Sequence, residues 1–183
     1  MNNELDSELD KEYDRINNWI PDAIVNLKYG TDDNFIGHPV YDRLYDELRA
    51  GTLKKLKLAA ELLREKGFRM VIWDAYRPIA VQQVLWDLIG NSQFVAHPSK
   101  GSKHNRGCAV DLTLASLEGA ELEMPSAFDD FSELASAIRK NENQEINLRM
   151  NALQTAMRQA GFEIYEKEWW HFTDEEWMNY EIS

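Results

Sequence analysis

Cys108 is the only cysteine in 183 residues, so the chain can build neither a disulfide framework nor a cysteine-based zinc finger. A metal site would have to draw on Asp, Glu and four histidines. Long apolar runs are also missing: no stretch approaches the ~18 residues that a bilayer-spanning helix requires. Basic residues are scarce, with 20 Lys and Arg against 32 Asp and Glu and a formal charge of -12. Such a chain offers little to a phosphate backbone or an anionic bilayer, so neither nucleic acid nor membrane is an expected partner. The opening segment, MNNELDSELDKEYD, has neither the basic nor the apolar region of a secretory leader. A cytoplasmic protein is therefore expected, and a lone free thiol agrees with a reducing compartment. There is no internal repeat, no low-complexity linker and no HExxH metalloprotease signature.

What is present reads as one domain over 1–183, long enough to bury roughly two-thirds of its unfolded surface. Residues 1–20 suggest a short helix, and 21–41 loop and short strand, broken at Pro21, Gly30, Gly37 and Pro39. A helical pattern runs from about 41 to 66, with a candidate interruption at Gly51. Leu53, Leu56, Ala59, Ala60 and Leu63 share one face, and Gly67 supplies the stop. FRMVIW (68–73) reads as a buried strand, and Pro78 opens a helix that Gly90 closes. Residues 91–107 read as loop. CAVDLTL (108–114) alternates, so that Cys108, Val110, Leu112 and Leu114 face a core while Ala109, Asp111 and Thr113 face the other way. A hairpin strand is expected over 118–124 and helices over 130–140 and 144–160. Ile146, Met150, Leu153 and Met157 stripe the last of these as core. Two strands, near 162–166 and 169–173, complete an α+β domain with a mostly antiparallel central sheet flanked by helices.

The chemistry concentrates in SKHNRGCAVDLTL, where His104 ends a loop and Asp111 sits on the following strand, with Gly107 permitting the sharp path between them. Far downstream, EKEWWHF adds His171 and, three residues before it, Glu168. Zinc accepts imidazole nitrogen and carboxylate oxygen, and catalytic zinc sites use three protein ligands and keep a fourth position for water. His104, Asp111 and His171 make such a set, and Glu168 is then a candidate general base. On a straight strand, residues 168 and 171 point to opposite faces, so sharing one site requires Glu168 to sit on a turn or bulge. Trp169 and Trp170 would wall that site against water. Spacing alone leaves open a loop histidine, a hydrogen-bonded strand aspartate and a core histidine at 171.

Ser-x-His-x-x-Gly-x-x-x-Asp followed distantly by Glu-x-Trp-His resembles the zinc D-alanyl-D-alanine dipeptidases of the VanX type. These lie within the larger group of D,D-peptidases with a hedgehog-like α+β fold. The resemblance runs in order through LKYGTDDNFIGHPVY (27–41), VIWDAYRP (71–78), SKHNRGCAVDLTL (102–114), MPSAFDDF (124–131) and EWWHF (168–172). It implies one zinc ion per chain on His104, Asp111 and His171, Glu168 as general base and acid, and Arg77 as the residue stabilising the oxyanion. It also implies Asp129 and Tyr29 as the pair holding the substrate's ammonium end, and Ser102 near the substrate. Plainer alternatives stand beside these roles: an Arg77–Asp74 ion pair, Asp129 as an N-cap for a 130–140 helix, and Ser102 as a brace of its loop.

Pro125-Ser126 departs from the family's Gly-Thr, which removes a backbone donor from that loop. His38, where the family often has arginine, reads as a surface residue or an adventitious ligand. His97 lies in a loop able to cover the site and receives no role. Cys108 reads as a small core residue, not a nucleophile. The resemblance implies hydrolysis of the small free dipeptide D-Ala-D-Ala. The alternatives are a peptidoglycan D,D- or L,D-carboxypeptidase or endopeptidase on the same fold, and a non-catalytic zinc-binding module. Oligomeric state is not legible.

Overall fold

The computed structural model describes residues 8–92 and 95–183. In chain order it forms β1 (Tyr13–Arg15), α1 (Ile16–Trp19), β2 (Ile24–Val25), β3 (Glu47–Arg49), α2 (Ala50–Glu65), β4 (Phe68–Asp74) and α3 (Ile79–Ile89). There follow β5 (Ala109–Ser116), α4 (Gln144–Gln159), β6 (Phe162–Tyr165) and β7 (Glu168–Asp174). Single 3-10 turns occupy Lys28–Gly30, His104–Arg106, Glu133–Ala135 and Trp177–Asn179. The main sheet has the order β2-β4-β5-β7-β6 and is antiparallel except for the β2–β4 pair, while β1 and β3 form a separate antiparallel pair. This is the expected α+β arrangement. Among the described residues no helix is long and apolar enough to cross a membrane.

The apolar stripes decide which face of the sheet is covered by helix. Leu53, Leu56, Ala59 and Leu63 of α2 are fully buried, as are Leu153, Ala156 and Met157 of α4. The two helices pack on each other and against the sheet, joining Val110, Leu112 and Leu114 of β5 in one core. Each buried leucine contributes ~1.5–3 kcal/mol, more than helix propensity offers, so packing holds these helices in place. The opposite face of β5 carries Ala109, Asp111 and Thr113, also buried.

Three expectations needed correction. The helix begins at Ala50, not near 41, because the stretch before it has tertiary partners at non-helical spacing. Tyr41 donates to Asp74 (2.5 Å), Asp46 accepts from Arg15, and Leu48 pairs with Asp14 across β1–β3. Gly51 therefore lies in the first turn, where a Cβ would come within 2.3 Å of the Tyr180 hydroxyl. The 130–140 helix is reduced to the turn at Glu133–Ala135. Only Ala135 and Ala137 are buried there, at strand-like spacing, and Ala137 N–H donates to Glu166 O (2.9 Å). The 118–124 strand is a single bridge, Ala115 to Glu121. Of the helix expected over 1–20, only α1 appears as a named helix, and residues 1–7 lie outside the described residues.

Two irregularities in the sheet aim side chains at the site. Ile72 pairs with Leu112 but Asp74 pairs with Asp111, so Trp73 is the extra residue and Asp74 turns onto the face that carries Asp111. On the other edge the β6–β7 register shifts between Ile164 and Tyr165, which sets Glu168 opposite Tyr165. This is the bulge that the spacing of Glu168 and His171 required.

Gly107 closes the His104–Arg106 turn with φ +68°, and a Cβ there would come within 2.3 Å of the Tyr13 ring. Gly107→Ala is expected to destabilise the fold by ~2–4 kcal/mol, through a left-handed alanine plus a steric clash. Urea unfolding would measure it, and a loss under about 0.5 kcal/mol would show that Tyr13 yields freely.

Candidate active site

Asp111 and His171 are directly paired across β5 and β7, and this pairing starts the site. Opposed residues in an antiparallel pair project on the same side, which sets His171 Nδ1 2.8 Å from Asp111 Oδ1. His104 approaches from the turn before Gly107, with Nε2 3.2 Å from His171 Nδ1 and 3.4 Å from Asp111 Oδ1. The ligand atoms of the three residues lie within 4.8 Å of one another.

The outer ring nitrogen of His104 fixes its tautomer. His104 Nδ1 lies 2.8 Å from the Ala75 carbonyl, which only accepts, so Nδ1 carries the proton and Nε2 offers its lone pair inward. His171 Nε2 lies 3.1 Å from Thr173 Oγ1, a hydroxyl able to donate or accept, while Nδ1 faces inward. Two imidazoles, each with a partner on its outer nitrogen, and a carboxylate form a donor set that suits zinc and could hold it. Burial works against charge on His104, but the Asp111 carboxylate outweighs it and raises its pKa. Burial likewise opposes ionisation of Asp111, yet His104 and His171 hold its carboxyl well below the ordinary range.

Glu168, Asp129, Tyr29, Arg77 and Ser102 line one cavity of about 400 Å³ together with the three donors. Burial pushes the Glu168 carboxyl up to about 7, against the pull of His171. Burial likewise pushes Asp129 up to about 7, although it accepts a 2.8 Å hydrogen bond from Tyr29. Burial also keeps the Tyr29 phenol protonated and thus a donor. Tyr29 stands edge-on to Phe35 and Phe128, and Phe128 edge-on to Trp170, so the Tyr29–Asp129 pair rests on an aromatic wall. Asp129 is the one non-glycine residue with positive φ (56°) among those described. The helix it was to cap is absent, and Ser132 caps the short turn instead. Strain and an unfavourable charge thus coincide at this carboxylate, as they do at groups held for ligands.

The Asp129 shift carries a stability consequence. Its folded pKa lies above the unfolded value of ~3.9, so the folded state binds the extra proton between those values. Stability therefore falls as pH rises from ~4 to about 7, and the penalty is complete above that. Asp129→Asn keeps the acceptor for Tyr29 and removes the charge. Metal-free Asp129→Asn is expected to melt on the order of 5 °C higher than wild type at pH 8 and equally at pH 4. Calorimetry at the two pH values checks this, and equal Tm at pH 8 would refute it.

Arg77 forms the ion pair with Asp74 and also reaches the cavity. Its Nε and Nη2 donate to Asp74 Oδ2 at 3.0 and 2.6 Å, and it also lines the cavity, with Nη2 4.0 Å from Asp111. Ser102 likewise does both: it lines the cavity, and its Oγ accepts from His104 N–H (3.2 Å). Trp170 walls the site, whereas Trp169 turns away to Trp73 and donates to Ser126 Oγ at 3.0 Å. At the departure Pro125-Ser126, Ser126 thus supplies the acceptor for the buried Trp169. His38 is exposed, with Nδ1 near the Pro39 carbonyl. His97 is exposed too and packs on Trp86, while Val95 and Ala96 of its loop reach the cavity. Cys108 is fully buried, and burial pushes its thiol up to about 12, which makes it inert.

Several participants escaped the sequence reading. Thr173 lies two residues beyond His171, hence on the same strand face, a relation that period two could have given. Tyr165 lines the cavity edge-on to His171 because of the β6–β7 irregularity. Gln82, fully buried on α3, accepts from Arg77 Nη1 at 3.0 Å, and nothing in its sequence context marks it.

Several known proteins are similar to this chain. The D-alanyl-D-alanine dipeptidase of Escherichia coli (strain K12) is 34% identical over 155 residues, covering 83% of this chain and 79% of its own. That of Enterococcus faecium is 32% identical over 182 residues, covering 84% and 88%. A solved structure of the vancomycin-resistance D,D-pentapeptidase VanY is similar at 17% identity, with a TM-score of 0.46 over 73% of this chain and 76% of that one. The sequence also matches a peptidase family, described as D-ala-D-ala dipeptidase, over residues 10–181. With that span matched and with such relatives, the chain belongs to the D-Ala-D-Ala dipeptidase family of peptidases.

Proposed function

We propose that this enzyme hydrolyses the free dipeptide D-Ala-D-Ala to two D-alanines, with one zinc ion held by His104, Asp111 and His171. The observation that carries the proposal is the shared cavity, about 400 Å³, which joins the donor set to a carboxyl near neutral pKa, a guanidinium and a carboxylate–phenol pair. That volume is at the small end of ligand sites, as a dipeptide needs. Zinc, when bound, supplies a Lewis acid that makes water nucleophilic and polarises the scissile carbonyl.

The protein's own groups do the rest. Glu168, poised at about 7, takes a proton from the attacking water and returns it to the departing amine. Arg77 directs its unused N–H groups at the oxygen where negative charge develops. Asp129, held by Tyr29, receives the substrate's ammonium, and the ammonium in turn favours the ionised carboxylate. Trp170 and the aromatic wall exclude water, which strengthens each of these fields.

One observation favours a second reading, on longer peptides. A groove of about 900 Å³ shares Asp129, Phe131, Glu168 and Trp170 with the main cavity, so a chain could continue past the anchor. An amino-acid release assay decides between them, using D,D-, L,D- and L,L-dipeptides and a pentapeptide ending in D-Ala-D-Ala, with and without added zinc. Fastest turnover of D-Ala-D-Ala supports the dipeptidase. A higher kcat/KM on the pentapeptide overturns it in favour of a carboxypeptidase.

A further inference from the structure

A guanidinium carries five N–H donors in one plane. In Arg77, Nε and one Nη2 hydrogen go to Asp74, and one Nη1 hydrogen goes to Gln82 Oε1. These three bonds leave one hydrogen on each Nη for the cavity that Arg77 lines. The backbone is registered separately: Arg77 N–H donates to the His104 carbonyl (3.2 Å), and Asn105 Nδ2 donates to the Arg77 carbonyl (2.6 Å). What remains to be fixed is the plane of the guanidinium.

Asp74 alone does not fix it. Both of its bonds to Arg77 end on the same oxygen, Oδ2, which makes that atom a pivot. Gln82 is the second fixed point. Its other end is also engaged, since Nε2 donates to the Ala96 carbonyl at 2.8 Å, and Ala96 lines the cavity. A fully buried amide with both ends used thus spans Arg77 and the loop opposite it.

We propose that Gln82 is a positioning residue. It locks the Arg77 plane so that the two remaining N–H groups face the reacting oxygen, and it ties that orientation to the Val95–Ala96 wall. The proposal rests on the oxyanion reading of Arg77 given above.

The test compares zinc-loaded wild type with Gln82→Leu, Gln82→Glu, Arg77→Ala and the Arg77→Ala/Gln82→Leu double variant. The measurements are kcat and KM on D-Ala-D-Ala, Tm, and Ki for a non-hydrolysable phosphinate dipeptide that mimics the tetrahedral state. Gln82→Leu is expected to lower kcat about tenfold with KM within about twofold, the mark of a lost transition-state contact. Its Ki should rise in step with the loss of kcat/KM. Gln82→Glu keeps an acceptor for Arg77 and should recover most of kcat. In the Arg77→Ala background, Gln82→Leu should cost less than about twofold, because the group it positions is gone.

A Gln82→Leu enzyme with lowered Tm but unchanged kcat and Ki would overturn the proposal, as would an undiminished effect in the Arg77→Ala background. Wild-type activity of Arg77→Ala would instead overturn the reading beneath it. Should Gln82→Leu not fold, Gln82→Asn, one methylene too short to reach both partners, carries the same test.

Discussion

Replacing Glu168 by alanine is expected to lower kcat at least ~100-fold while the protein keeps its zinc, the usual order for losing an acid–base group. The two halves of this result come from different parts of the structure. Retention follows because the donor set is His104, Asp111 and His171, and Glu168 is not in it. Loss of rate follows because burial holds the Glu168 carboxyl at about 7, where it exchanges a proton at neutral pH, and because it shares the cavity with the donors. Unfolding would not explain the loss, since removing a carboxyl that burial disfavours does not weaken the fold. KM is expected to change far less than kcat, because the proposed ammonium anchor is Asp129. Steady-state kinetics on D-Ala-D-Ala and metal analysis after gel filtration check both halves. Full activity with zinc bound would remove Glu168 from the mechanism, and loss of zinc would make it a ligand.

That prediction depends on a feature only half visible in the sequence. Two residues separate Glu168 from His171, which puts them on opposite faces of any regular strand, so a common site demanded an irregularity. The demand could be read from the residues, but its location could not. The register shift depends on how β6 meets β7, a contact between backbones that no side-chain pattern records. The same holds for Asp74. Its neighbours VIW read as plain buried strand, and only the extra residue opposite β5 turns its carboxylate toward Arg77 and His104.

Elements with a strong apolar period were legible: the α4 stripe, the β4 run and the alternation of β5 all appear close to where the residues place them. The failures were segments whose partners are tertiary. Residues 41–49 have leucines and charges in helix-like proportion, but Tyr41, Asp46 and Leu48 are each claimed by a different element. Of the candidate site, the three clustered side chains and Glu168 could be singled out in the sequence because metal and proton chemistry restrict residue type. Gln82 and Thr173 were not singled out, because bracing asks only for a polar atom at the right distance.

Chelation should abolish hydrolysis and leave the fold standing. A structural metal substitutes for a missing core, as in small domains that unfold without it. Here the elements that present the donors are secured independently. Asp111 lies on β5 between β4 and β7, fully laddered, with Val110 and Leu112 buried behind it. His171 is one residue from the buried Phe172, and His104 is tied to the Ala75 carbonyl and closed by Gly107. Protein dialysed against EDTA should therefore keep its far-UV circular dichroism and a cooperative melt. Its Tm should be lowered only by the binding free energy that the ion contributed. Activity should fall to background and return on adding about one equivalent of zinc.

Asp111→Ala should reproduce the inactive state permanently. It removes the only carboxylate of the donor set and leaves two imidazoles facing each other at 3.2 Å. Its loss of zinc affinity should exceed the ~10–100-fold that outer-shell changes cost, and a Thr173→Val variant provides that milder comparison on the same ligand set. Global unfolding on chelation would make the zinc structural and favour a binding module. Turnover persisting in protein stripped of metal would remove zinc from the reaction altogether.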